Sequence, residues 1–249
     1  MQEANGKGKV RVAAVGDIHC SKSSQGRFQP LFEEINRSAD VLVLCGDLTD
    51  YGLPEEAAVL ISELASLRVP VVAVLGNHDH ESGQHEEVAD MLRNAGVNIL
   101  DGDTCEVAGV GFAGTKGFAG GFGRGTLAPW GEAAVKAFVQ ESIDEALKLE
   151  KAVARLRTPH RIVVLHYAPI QATVEGEPPP IFPFLGSSRL EEPLGRFPVR
   201  AVFHGHAHNG TLEGQTMGGT PVYNVAMPLL VRDFPDKPAF YLLEVRAEE

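Results

Sequence analysis

Apolar residues fall alternately in short unbroken runs and in longer stretches with helical spacing. Residues 10–15 (VRVAAV), 41–45 (VLVLC) and 71–75 (VVAVL) are mostly apolar runs of strand length, as strands buried on both faces read. Between them, residues 28–38 and 55–67 carry apolar positions at helical intervals, and Pro54 stands where a helix begins. This alternation predicts βαβ units, a parallel sheet and right-handed crossovers. Residues 86–95 predict a further helix, closed by Gly96.

The texture then changes. Residues 104–107 and 110–114 predict a hairpin around Ala108-Gly109, and residues 114–125 (GTKGFAGGFGRG) form a glycine-rich loop. A long amphipathic helix is predicted over 132–156, a strand over 161–165, a proline-rich loop over 168–183 and a strand over 199–203. Short strands follow near 211–216, 221–225 and 239–245. No linker divides the chain, so residues 1–249 are expected to form a single α/β domain with two sheets.

The balance of 22 Lys+Arg against 33 Asp+Glu gives a net charge of −11. That argues against gripping a nucleic-acid duplex or an anionic membrane through bulk charge. It leaves room for a small phosphorylated substrate, because bound metal reverses the local field. Cys20, Cys45 and Cys105 form neither a CxxC spacing nor a disulfide framework. The start, MQEANGKGKV, has no apolar run behind its charges, and no stretch is apolar enough to span a bilayer. A soluble cytoplasmic protein is expected. The sequence carries no signal for an oligomeric state.

The chemistry sits at the ends of the strands. The first three runs are followed by Gly16-Asp17-Ile18-His19, Gly46-Asp47-Leu48-Thr49-Asp50 and Gly76-Asn77-His78-Asp79. The last two are followed by His166 and by His204-Gly205-His206-Ala207-His208. In open α/β sheets ligands bind at the carboxyl ends of strands. Carboxylates and imidazoles suit divalent first-row metals. They are too many for one tetrahedral ion and fit two ions sharing a carboxylate. The glycines preceding Asp17, Asp47, Asn77 and His206 are expected to permit sharp turns and close backbone approach.

These blocks, in this order, resemble the calcineurin-like metallophosphoesterase superfamily. The resemblance implies a four-layer α-β-β-α sandwich of two mixed sheets. It further implies a dinuclear centre of divalent or trivalent ions (Mn, Fe, Zn or similar). Asp17, His19, Asp47 and His208 would hold one ion, and Asp47, Asn77, His166 and His206 the other. His78 would face the substrate, stabilise phosphoryl oxygens and protonate the leaving group, while a hydroxide bridging the metals attacks phosphorus. Asp50 corresponds to a carboxylate that orients this histidine, or else serves as a turn or helix-cap residue before Pro54.

Other polar groups have plainer readings. His204 is expected to be a packed or supporting group, His80 and His85 surface loop residues or else part of the cleft lining, His160 solvent-exposed, and Cys20 and Cys45 small buried apolar residues. Lys116 and Arg124 either touch phosphate or belong to a surface loop. Loops 114–130 and 168–189 are expected to wall the cleft. Their aromatics Phe118, Phe122, Trp130, Phe182 and Phe184 either stack on a base or pack internally.

Departures from the subfamilies narrow the substrate. Tyr51 stands where phosphoprotein phosphatases of the superfamily place an arginine, and Asp79 where they place a glutamate. Retention of His19 is unlike the purple acid phosphatases. What remains is similar to the small prokaryotic branch that includes class III cyclic-nucleotide phosphodiesterases. A small phosphodiester is therefore the expected substrate. A phosphomonoesterase, nucleotide or protein phosphatase on the same site, or a catalytically silent metal-binding scaffold, is the alternative.

Overall fold

The computed structural model describes residues 8–246. Residues 1–7, most of the N-terminal stretch read as lacking a leader, and residues 247–249 lie outside the described residues. In chain order the first half is β1 (Lys9–Val15), α1 (Gln29–Ser38), β2 (Val41–Cys45), α2 (Pro54–Leu64), β3 (Val71–Val74), α3 (His85–Asn94), β4 (Asn98–Ile99), β5 (Asp103–Val107) and β6 (Val110–Gly114). The second half is α4 (Ala133–Arg155), β7 (His160–Val164), α5 (Phe182–Leu185), β8 (Ala201–His204), β9 (Glu213–Gln215), β10 (Pro221–Asn224), α6 (Met227–Asp233) and β11 (Tyr241–Arg246).

Every residue of β2 and of β3 is buried, as their unbroken apolar runs require. The first sheet has the order β11-β1-β2-β3-β4, parallel except for β11 along β1. The second has the order β5-β6-β7-β8-β10-β9, parallel at its centre with β5 and β9 antiparallel at its edges. Side chains alternate across the second sheet with period two. Phe112, Ile162, Val164 and Phe203 share a core with β1, β2 and β3. Ala113, Val163, Leu165 and Val202 instead pack with Leu149 and Val153 of α4. Phe32 and Ile35 of α1, Ala57 and Leu60 of α2, and Val88 and Leu92 of α3 pack into the first core. Fully burying a side chain of this size contributes about 1.5–3 kcal/mol. The result is the expected four-layer sandwich of two mixed sheets. Gly114 lets the sheets close up near the strand ends, since a Cβ there would lie 2.9 Å from Val74 and 3.2 Å from Leu100.

Some elements depart from their expected form. The two-residue β4 and the helix α6 are additional. Residues 168–183 carry single turns of 3-10 helix at Gln171–Thr173 and Pro179–Ile181 rather than an open loop. His160 is half-buried rather than solvent-exposed, because it opens β7 and pairs with Val110. No helix among the described residues is long and apolar enough to cross a membrane.

Candidate metal centre

Four of the metal-ligand candidates have backbone conformations that L-residues seldom adopt. Asp17, His19, Asp47 and His206 have φ of 55°, 44°, 48° and 69°. The other non-glycine residue of this kind among the described residues is Ala108, in the β5–β6 turn. Each such residue costs about 1–2 kcal/mol, and strain of this kind concentrates at functional sites. The preceding glycines were expected to permit sharp turns and close backbone approach. Only Gly46 makes such a turn itself, with φ 82°. Gly76 and Gly205 provide the close approach: a Cβ on either would overlap the Asp47 or the Asp17 carboxylate, respectively. The glycines thus let strand-end loops interleave, and the candidate ligands absorb the unusual dihedrals themselves.

The loops bring the candidates into three groups. Asp17, His19 and His208 each offer a ligand atom within 4.8 Å of the others, as do Asp47, His166 and His206, and also His19, Asp50 and His78. Asp17 is buried; its carboxylate accepts the His206 backbone N–H at 3.0 Å and faces His208 Nε2 at 3.0 Å. Asp47, of the second group, also faces the first, with Oδ2 3.9 Å from His19 Nε2 and Oδ1 3.4 Å from His166 Nε2.

The donor chemistry fits a cation. His166 Nδ1 donates to the Cys45 carbonyl at 2.9 Å, which puts the lone pair on Nε2. That lone pair faces the Asn77 amide oxygen at 2.8 Å. A proton on Nε2 or a cation shared by the two groups satisfies a contact of that length. His206 Nε2 donates to the Phe184 carbonyl at 3.2 Å, leaving its Nδ1 free to accept. His19 Nε2 is buried with no hydrogen-bond partner. Burial lowers the pKa of His19 and pulls that of His206 down to about 3, so both rings are held neutral, as metal ligands must be. The residues present therefore fit a metal centre.

His78 and Asp50 lie on one flank. His78 Nδ1 donates to the Asp50 backbone carbonyl at 2.8 Å, and the His78 ring meets the His19 ring edge-on at 4.6 Å. The pKa of His78 is raised: burial opposes the charge, but the Asp50 carbonyl and the Asp47 carboxylate favour it. Asp50 thus reaches His78 through its main chain. Its carboxylate faces His19 Nδ1 at 3.5 Å and lies within 4.8 Å of a His78 ring nitrogen.

Sequence reasoning gave Asp79 no structural role. Its fully buried carboxylate accepts from Gly76 N at 2.8 Å, Leu48 N at 3.1 Å, Thr49 N at 2.8 Å and Thr49 Oγ1 at 2.5 Å. It ties the Asp47 turn to the Asn77 turn. The signal in the sequence was a short acid that ends a Gly-Asn-His turn, where local backbone N–H groups need acceptors.

The profile of the calcineurin-like phosphoesterase family matches residues 10–210. The chain belongs to that family. This metallophosphoesterase is 31% identical over 108 residues to an uncharacterized protein of Methanocaldococcus jannaschii, covering 43% of the chain and 44% of that protein. It is 32% identical over 87 residues to a 3′,5′-cyclic-nucleotide phosphodiesterase of Nostoc sp., covering 30% of the chain and 33% of that enzyme. The matches thus span less than half the length of these curated relatives. Among solved structures, the phosphopantetheinyl hydrolase from Mycobacterium tuberculosis is similar with a TM-score of 0.67 and 15% identity, over 93% of this chain and 95% of its own. A Thermus thermophilus protein gives a TM-score of 0.55 at 14% identity, over 95% and 98%. These structures share the fold. The family is one of calcineurin-like phosphoesterases, and the groups Asp17, His19, His208 and Asp47, His166, His206 could hold metal.

The remaining polar groups of the metallophosphoesterase are placed as follows. His204 is fully buried and bonded to Thr173 Oγ1 at 2.8 Å. Cys20 and Cys45 are buried, and burial pushes the Cys20 thiol up to about 12. His80 and His85 are half-buried, stacked at 4.0 Å, and line a cavity of about 560 Å³. The same cavity is lined by Lys116, Glu145 and Lys148. The Lys116 carbonyl accepts the N–H of His166 at 3.0 Å, and its ammonium lies 5.4 Å from the Tyr167 ring centre. Arg124 is exposed, and Arg189 donates to the Leu127 carbonyl. Of the loop aromatics, Phe122 is buried, Phe118 and Phe182 are half-buried, and Trp130 and Phe184 are exposed.

Proposed function

We propose that this chain is a dinuclear-metal phosphoesterase that hydrolyses small phosphodiesters. The observation that carries the reading is that Asp47 faces ring nitrogens of two groups: His19 Nε2, buried without a hydrogen-bond partner, and His166 Nε2, which also faces the Asn77 oxygen. Asp17, His19, Asp47 and His208 would hold one ion, and Asp47, Asn77, His166 and His206 the other. When bound, such ions supply Lewis acidity toward a phosphoryl oxygen and lower the pKa of water near them.

The chain's own residues supply the rest. The Cys45 carbonyl fixes the His166 tautomer, and the Phe184 carbonyl fixes that of His206. Asp79 holds two of the ligand turns in register. His78, held by the Asp50 carbonyl and half-exposed at the flank, binds a phosphoryl oxygen through Nε2 and passes a proton to the leaving oxygen.

Three features favour a diester. Tyr51 is 53% exposed beside Asp50, where a guanidinium would clamp a dianion. The net charge of −11 disfavours long polyanions. The partial relative in Nostoc is a cyclic-nucleotide phosphodiesterase. The test is hydrolysis of bis-p-nitrophenyl phosphate by Mn²⁺-loaded protein. Turnover that EDTA abolishes and Mn²⁺ restores is expected. Absence of turnover of this diester and of p-nitrophenyl phosphate with any first-row ion would overturn the enzyme reading in favour of a silent scaffold.

A further inference from the structure

We infer that Phe184 is the platform on which this site seats the planar organic group of its ester substrate, a role that rests on the phosphoesterase reading above. Phenylalanine is among the residues most often buried, yet Phe184 is 59% exposed, while Leu185 beside it is 6% exposed.

The exposure does not come from a loose loop. Four consecutive carbonyls are engaged: Pro183 O accepts from Gly120 N at 2.8 Å, Leu185 O from Ala168 N at 3.0 Å, and Gly186 O from Gly121 N at 2.9 Å. The carbonyl of Phe184 itself accepts from the ring of His206 at 3.2 Å. The residue is thus one hydrogen bond away from a metal-ligand candidate.

The ring is held as well as the backbone. It meets Phe138 of α4 edge-on, with centroids 6.4 Å apart. Phe138 packs on Phe118 at 5.0 Å, Phe118 on Tyr167 at 5.8 Å, and Tyr167 on His206 at 4.5 Å. This aromatic chain starts and ends at His206, and Phe184 is its exposed member. A rigid, exposed apolar face on a residue bonded to a metal-ligand candidate offers a surface on which something planar can stack. An aryl or nucleobase group covers that face and gains aromatic stacking. A methyl ester gains almost nothing. The stacking increment corresponds to roughly 3–10-fold in affinity.

The test uses two non-hydrolysable ligands that differ only in this group, phenylphosphonate and methylphosphonate, titrated calorimetrically into Mn²⁺-loaded protein. Wild type is expected to bind phenylphosphonate roughly 3–10-fold more tightly. Phe184→Ala, which keeps the carbonyl that His206 uses, is expected to bind both equally, with methylphosphonate affinity unchanged; Phe184→Tyr should keep the preference. Circular dichroism of each variant checks the fold. An undiminished phenyl preference in Phe184→Ala, or none in wild type, overturns the inference while hydrolysis of bis-p-nitrophenyl phosphate still stands for the enzyme. Equal weakening of both ligands in Phe184→Ala also overturns it, since the residue would then act only through His206. If wild type binds neither phosphonate and hydrolyses no ester, the phosphoesterase reading falls together with this one.

Discussion

The Cys45 carbonyl and His166 Nδ1 lie 2.9 Å apart, although 121 residues separate them in the chain. The bond joins the end of the first sheet's central strand to the segment following β7 of the second sheet. It also decides which imidazole nitrogen can meet a metal. Gly46 makes it possible, because a Cβ there would overlap the His166 ring. One contact therefore couples sheet packing to ligand tautomer, and the sites on either side of Asp47 should respond together when it is disturbed.

Asp47→Asn is expected to lose at least one equivalent of metal and most activity, because its carboxylate faces both His19 and His166. Elemental analysis after gel filtration reads the first effect directly. Full occupancy with near-normal turnover would rule out the bridging role proposed for Asp47.

His78→Ala should keep its metal and lose roughly 10²–10⁴-fold in kcat, the scale of acid–base assistance. Asp50→Asn should behave differently. Its carboxylate faces His19 and its carbonyl, which the substitution keeps, holds His78. The expected result is metal affinity weakened about 10–100-fold, with kcat at saturating Mn²⁺ changed little. A kcat loss at full occupancy would return the Asp50 carboxylate to the chemistry of His78.

The central strands were legible because burial on both faces leaves mostly apolar runs, and the polar candidates follow each run by one to three positions, at the strand ends. Asp17, Asp47, Asn77, His166 and His206 could be read in this way. The orientation of Asp50 could not: whether its carboxylate or its carbonyl meets His78 depends on a turn whose dihedrals no side-chain pattern reports. The His80–His85 stack was hidden for a related reason. Both follow a Gly-Asn-His turn and read as loop residues, and only the approach of Lys116 from the second sheet and of α4 encloses them. The two-residue β4 is too short to leave a period.

Gly76→Ala tests the interleaving of the loops. The added Cβ would overlap both the Asp47 carboxylate and its backbone nitrogen, groups that cannot swing aside. Overpacking of this kind costs about 1–3 kcal/mol, read as a lower Tm, and metal content should fall with it. A variant of normal Tm and full metal content would mean that the Asp47 turn relaxes without cost.

His80 should make the metal-free protein less stable in mild acid. Burial pulls its pKa down to about 4, with His85 and Lys116 adding repulsion, whereas an unfolded imidazole titrates near 6.5. Between these values the unfolded chain takes up the proton first. Stability is therefore lost as pH falls from about 6.5 to about 4, and the loss levels off below that. His80→Gln should remove roughly 1–3 kcal/mol of that pH dependence. Urea unfolding in EDTA at pH 7.5 and 4.5, compared between wild type and variant, measures it. An unchanged difference would mean that His80 titrates normally.

Tyr51→Arg should shift the enzyme toward monoesters. The Tyr51 side chain is exposed, and its backbone N–H is held by Glu56 Oε2 at 2.8 Å, a bond the substitution leaves in place. The loop should therefore keep its shape while presenting a guanidinium beside Asp50. A phosphomonoester brings a second negative charge that a diester lacks, so a bidentate cation stabilises it selectively. The ratio of kcat/KM for p-nitrophenyl phosphate to that for bis-p-nitrophenyl phosphate is expected to rise roughly tenfold, about 1.4 kcal/mol of differential transition-state binding. Metal content should not change, since none of the three ligand-atom groups includes Tyr51. A ratio unaltered in a fully metallated variant would show that Tyr51 does not face the phosphoryl group, and preference for diesters would then have to come from elsewhere in the cleft wall.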